Sequence, residues 1–137
     1  MRDPFREGLA AGWKHIDASQ LTVDLPIEAD VVIIGSGAGG GVTAEILAAN
    51  GLKVIIVEEG PLRTSSDFKM REAEAYPDLY QESAARKTAD KAINILQGRC
   101  VGGSTTVNWT SSFRTPPRTL QWWQSAWGLK RLGVDAM

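Results

Sequence analysis

The sequence predicts an α/β fold built on a βαβ unit with parallel strands, and three observations lead there. Val31, Val32, Ile33 and Ile34 form a β-branched run that stops abruptly at glycine, which suits a strand buried on both faces of a parallel sheet. Gly35, Gly37 and Gly40 then spell G-x-G-x-x-G and open a helix over Ala38 to Asn50, with Val42, Ile46 and Leu47 on one side and Asn50-Gly51 as its stop. Lys53 to Val57 is a second apolar run, and it closes on Glu58, 18 residues past the third glycine.

Each residue of this unit has a physical task. Gly35 permits the tight turn out of the strand. Gly37 has no side chain, so a pyrophosphate can approach the backbone, and Gly40 lets the helix pack close to the sheet. The first turn of the helix offers free N–H groups at the positive end of its dipole, which together suit a diphosphate. An acid at the end of the second strand is placed to bond ribose hydroxyls. Strand, turn, helix, strand and acid all occur in order, so the unit is read as a dinucleotide site. The alternative is a glycine-rich packing turn, with Glu58 a solvated carboxylate.

The totals narrow the class. The chain has 137 residues, 43% of them apolar, which is ordinary for a globular domain and argues against disorder. A net charge of −1 gives no electrostatic case for nucleic acid or an anionic membrane. Cys100 is the single cysteine, so no internal disulfide can form, and a reducing, cytoplasmic setting is expected. Arg2 and Arg6 are not followed by an apolar h-region, so no Sec signal peptide is expected. No apolar run approaches the roughly 20 residues of a membrane span.

Residues 1–29 read as a lead-in arm, with turns at Gly12-Trp13 and Asp17 to Gln20 and an edge strand permitted by the alternation of Leu21, Val23 and Leu25. Trp13 is expected to pack against the domain. His15, the single histidine, lies outside any motif and is given no catalytic role. Residues 30–117 form the nucleotide-binding segment. Within it, Asp67 to Ala75 and Asp78 to Ala85 read as short helices broken at Pro77, with Met70, Tyr76, Leu79 and Tyr80 pinning them to the core. Ala92 to Leu96 is a third apolar run, read as a strand.

That run leads into Gly98-Arg99-Cys100-Val101-Gly102-Gly103-Ser104-Thr105-Thr106-Val107-Asn108-Trp109. Gly102-Gly103 lets backbone meet a flat or anionic ligand, Ser104, Thr105 and Thr106 add hydroxyls, and Asn108 offers both a donor and an acceptor. A serine- and threonine-rich turn is the plain alternative. Residues 118–137 form a tail with a helix over Thr119 to Trp127, after an extended Phe113 to Pro117. Trp122, Trp123 and Trp127 would be core or an apolar surface awaiting a partner.

With both glycine loops in view, the chain resembles the glucose-methanol-choline (GMC) family of FAD-dependent oxidoreductases. The resemblance spans Glu28 to Pro117 in three blocks: Val31 to Gly40, Val54 to Gly60 and Gly98 to Trp109. The third block is the specific one, and its continuation through Thr110-Ser111-Ser112-Phe113-Arg114-Thr115-Pro116 is similar to the long-chain alcohol oxidase or dehydrogenase branch. The resemblance implies a Rossmann-like FAD-binding domain, here partial. Gly35, Gly37 and Gly40 would cradle the FAD pyrophosphate, with Ser36, Ala38 and Gly39 in the same turn. Glu58 would hold the adenosine ribose, with Glu59 beside it. Gly102, Gly103, Ser104 and Asn108 would lie along the pyrophosphate and isoalloxazine, with Arg99 opening that loop.

Some members of the family attach flavin through a histidine just before that asparagine. Val107 stands there, so non-covalent FAD is implied. Family members pass a hydride from an alcohol carbon to flavin, with a C-terminal histidine taking the hydroxyl proton. That histidine, the substrate domain and the remaining strands have no counterpart in these 137 residues. The chain is therefore expected to hold no catalytic residue and no metal, and to be the cofactor-binding N-terminal piece, served by a complementing C-terminal chain. An alcohol and an electron acceptor would be partners of the whole. Exposed apolar edges, marginal stability and weak FAD affinity are expected of the piece alone. An NAD-binding dehydrogenase domain, or a non-catalytic assembly piece docking through its tryptophans, remain as alternatives.

Overall fold

The computed structural model describes residues 2–131. The β-branched runs become strands β1, Val31–Ile34, and β2, Val54–Val57, in a two-stranded parallel sheet with Val31 opposite Val54 and Ile34 opposite Val57. Asp30 starts the register: its carboxylate accepts the Lys53 N–H at 2.7 Å and its own N–H donates to the Lys53 carbonyl. The Gly35 N–H extends the ladder by donating to Val57 at 2.8 Å. Between the strands, helix α2, Ala38–Ala49, lies against both and reaches the second glycine loop. Asn50 caps its C-terminus with a side-chain bond of 2.8 Å to the Ile46 carbonyl, and Gly51 at φ +86° turns the chain out.

Strand β1 is covered on one face only. Along β1, Val31 and Ile33 are half-buried under α2, while Val32 is 59% and Ile34 90% exposed. The expectation of a strand buried on both faces is therefore corrected, and that of exposed apolar edges is met. The buried apolar residues among those described are Leu79, Cys100 and Leu120, none of them on a strand.

The arm opens with a helix that the sequence reading did not foresee, α1, Pro4–Ala10, capped by Asp3 and started by proline. Trp13 folds back over Gly8 and meets Phe5 edge-on at 5.9 Å, so it packs on its own helix rather than on the domain. Asp17 to Gln20 is a 3₁₀ turn capped by the Asp17 side chain. No strand forms at Leu21 to Leu25; that stretch is exposed and has no neighbour to pair with. Beyond β2, helix α3 runs Glu72–Leu79 and carries Pro77 inside it, so Pro77 does not break it. In an eight-residue helix the missing N–H forfeits one i→i−4 bond, and Leu79 is buried at its end. Tyr76 and Tyr80 stack edge-on at 5.2 Å, but Met70 is 94% exposed and pins nothing.

Ala92 to Leu96 is not a strand. Its groups return on the preceding residues, with Thr88 N–H donating to Ile93 and Ile95 N–H to Arg86, joined by an isolated antiparallel bridge of Lys87 and Asn94. Local pairing across a tight turn takes the backbone that a third sheet strand would have used. The last helix, α4, Pro117–Trp127, starts two residues earlier than expected because Pro117 fits its first position, and Gly128 at φ +65° ends it. Trp122 and Trp127 meet edge-on at 6.3 Å and remain more than half exposed. Residues 132–137 of the expected tail lie outside the described residues.

Candidate functional site

The two glycine loops, more than 60 residues apart in the chain, meet at the carboxyl ends of the strands. The first is the turn from β1 into α2. Gly35 takes φ +89°, and Gly40 sits so close to it that a Cβ there would overlap the Gly35 carbonyl. Gly37 caps α2 without a side-chain hydrogen bond, so the N–H groups of Ala38, Gly39 and Gly40 keep no protein cap. A Cβ on Gly37 or Gly39 would meet open space.

The second loop is a short 3₁₀ turn, Gly103–Thr105, entered through Gly102 at φ +91°. A Cβ on Gly103 would stand 3.0 Å from the Gly37 Cα. Gly102 N–H donates to the Ser36 hydroxyl at 2.9 Å, so the loops are bonded as well as adjacent. Gly60 is pressed against the backbone of Arg99 and Cys100, and the Arg99 guanidinium lies 3.5 Å from Glu59 across that contact.

Between the loops runs an open groove of about 500 Å³, lined by Ile34, Gly35, Gly37, Val57, Glu58, Glu59, Gln97, Gly98, Gly103 and Ser104. Of the residues expected to hold cofactor, Gly35, Gly37, Glu58, Glu59, Gly103 and Ser104 face it. Ser36, Gly40 and Gly102 form the layer behind, and Ala38 and Gly39 give the exposed first turn of α2. Arg99 is held beside Glu59 outside the lining. Asn108 does not join them: its amide donates to Thr105, its oxygen accepts from Thr110, and it lines a second groove of about 780 Å³ against α3 with Tyr80 and Val107. Gln97 and Gly98 line the first groove and were not anticipated. Gly98 could have been, since it opens the third motif block and its N–H donates to the Ser104 hydroxyl at 3.0 Å.

Glu58 is more engaged than a ribose ligand at a strand end requires. One carboxylate oxygen accepts the N–H and the hydroxyl of Ser36, at 2.9 and 2.7 Å, and the other accepts Gly60 N–H at 3.0 Å. Burial pushes its carboxyl up, but the Ser36 hydroxyl and the Ser36 and Gly60 amides outweigh that and hold it below the ordinary glutamate value. A carboxylate has about four acceptor positions, so roughly one remains for a hydroxyl donor. Cys100 is fully buried below the loop, and burial pushes its thiol up, which makes it a packing residue rather than a nucleophile.

These features fit a dinucleotide. Free first-turn amides and bare Gly37 suit a diphosphate, Glu58 retains one acceptor at the end of β2, and the second loop closes the groove from the far side.

Comparisons with known proteins bear on the family and the cofactor class. The FAD binding domain pattern matches residues 30–76, and the GMC oxidoreductase pattern matches residues 76–137. A long-chain-alcohol oxidase of Arabidopsis thaliana is 37% identical over 111 residues, which is 81% of this chain and 15% of that protein. A second one from the same plant is 41% identical over 78% of this chain and 14% of its own length. An uncharacterized GMC-type oxidoreductase of Mycobacterium tuberculosis is 36% identical over 98% of this chain and 23% of its own length. The crystal structure of pyridoxine 4-oxidase from Mesorbium loti superposes with a TM-score of 0.58 and 28% identity, over 80% of this chain and 23% of that one. The chain thus spans less than a quarter of the length of these relatives. It belongs to the GMC oxidoreductases, of which it carries the N-terminal, FAD-binding segment.

Proposed function

We propose that this chain binds FAD non-covalently between its two glycine loops and serves as the cofactor-binding part of an oxidoreductase acting on the CH–OH group of alcohols. One observation carries the reading: loops remote in sequence are joined by the Gly102–Ser36 bond and enclose one groove. In it, the amides of Ala38 to Gly40 would take the pyrophosphate, Glu58 a ribose hydroxyl, and Gly103 and Ser104 the flavin side. Bound FAD would supply hydride acceptance, and this chain would orient it. Val107, a residue with no nucleophile, stands before Asn108 and supports non-covalent attachment.

Two names among the relatives, long-chain-alcohol oxidases, support an alcohol as the substrate class and an external electron acceptor. The proton-accepting histidine and the substrate pocket would come from polypeptide beyond these residues, in the same or a complementing chain. The lone Cys100 supports a cytoplasmic setting, and cell fractionation would test that.

Titration of the purified chain with FAD tests the reading. It predicts quenched flavin fluorescence at one equivalent, no response to NADH, and release of all flavin on acid precipitation. No quenching would refute FAD binding, and flavin retained on the precipitated chain would refute the non-covalent part.

A further inference from the structure

The bonds around Ser36 have a direction. A serine hydroxyl has one proton, and Glu58 has none to give, so Ser36 donates to the carboxylate at 2.7 Å and accepts Gly102 N–H at 2.9 Å. The carboxylate receives three donors in all: two from Ser36 and one from Gly60. No amide can replace it. A glutamine would turn its NH₂ toward Ser36 or toward Gly60, and either way two donors would face each other. The negative charge also polarises the hydroxyl and strengthens its oxygen as an acceptor. At the far end of the chain of bonds is Gly102, in a left-handed conformation at φ +91°, entering the turn that stands against Gly37.

We propose that Ser36 is a positioning residue that, backed by Glu58, holds the second glycine loop in register against the first, so that both reach the same dinucleotide. The inference rests on the FAD reading above for its consequence, but the tie itself belongs to the ligand-free chain. It gives Glu58 a second task, independent of ribose, and gives the residue between the first two glycines a task that the G-x-G-x-x-G pattern leaves open.

Two readouts test it. In the ligand-free chain, Ser36→Ala is expected to speed amide hydrogen exchange at Gly102 roughly fivefold to tenfold, the loss of one hydrogen bond, while Ser36→Thr, which keeps the hydroxyl, restores protection. With ligand, Ser36→Ala is expected to weaken FAD roughly fivefold more than it weakens ADP, which spans the first loop alone. Unchanged Gly102 exchange, or equal weakening of FAD and ADP, overturns the proposal. Should Ser36→Ala fail to fold, the temperature coefficient of the Gly102 amide shift in the unsubstituted chain reads the same bond: a value characteristic of a free amide overturns it, and a bonded one supports it. If the unsubstituted chain binds no FAD, the functional reading fails, and the amide measurements still judge the tie.

Discussion

Helices α1 and α2 begin in opposite ways. At α1 the protein closes the end itself. Asp3 accepts Arg6 N–H at 3.1 Å, and its other oxygen takes the N–H and hydroxyl of Ser66, at 2.9 and 2.6 Å. Arg6 then crosses to Asp67, and Asp67 caps Thr64, so the arm is sewn to the loop after β2 with Asp3 and Thr64 buried. At α2 no side chain reaches the amides, the cap is Gly37, and the turn is glycine. These donors stand at an exposed turn beside the groove, open to water or to an anion. One end is a joint, and the other is a socket.

The largest expected effect comes from breaking the socket's frame. In Gly40→Ala the Cβ would strike the Gly35 carbonyl, backbone against backbone, so α2 must lift from the sheet. A loss of about 1–3 kcal/mol in urea unfolding is expected, together with loss of FAD binding.

Gly37→Ala sharpens the contrast. Its Cβ would meet open space and its φ of −64° suits alanine, so the melt should not move. The methyl would stand where a phosphate must approach, and FAD affinity should fall by about tenfold, roughly 1.4 kcal/mol. Calorimetric titration beside a thermal melt separates the two outcomes. A glycine needed only for folding would lower both together.

Asp3→Ala breaks the joint instead. The melting midpoint should fall by several degrees, while FAD affinity of the folded chain stays within about twofold. Equal losses in both would mean that the arm belongs to the site.

Much of the socket could be read from sequence because its causes are local. The run Val31 to Ile34 ending in glycine, the Asn50-Gly51 stop and the acid closing β2 each follow from steric or capping rules over a few residues. The joint could not. Asp3 and Ser66 are ordinary polar residues 63 positions apart, and nothing local marks them as partners. Asn108 stands apart from the first groove for a related reason: its own turn engages its amide, with Thr105 and Thr110. The third strand at Ala92 to Leu96 was lost to a nearer partner, and Pro77 was overridden by burial of Leu79. The Ser36 link between the loops depends on tertiary approach, although the glycines that permit the approach were visible.

Acid offers a smaller test. The Ser66 and Thr64 hydroxyls hold the Asp3 carboxyl far below its usual range, and Glu58 is also held low. In both, the folded value lies beneath the unfolded one. Their stabilisation is therefore complete above about pH 4–5 and is lost as pH falls through the folded values. Melting midpoints should decline below that range, and Asp3→Ala should flatten the decline while leaving the Glu58 share.

The most direct measurement is an amide map by NMR of the 137-residue chain titrated with FAD and, separately, with ADP. Two loops gripping one dinucleotide predict that FAD shifts the amides of Ala38 to Gly40 and of Gly102 to Ser104 along a single binding curve, and that ADP shifts the first set alone. FAD moving one loop without the other, or the two on different curves, would contradict the account.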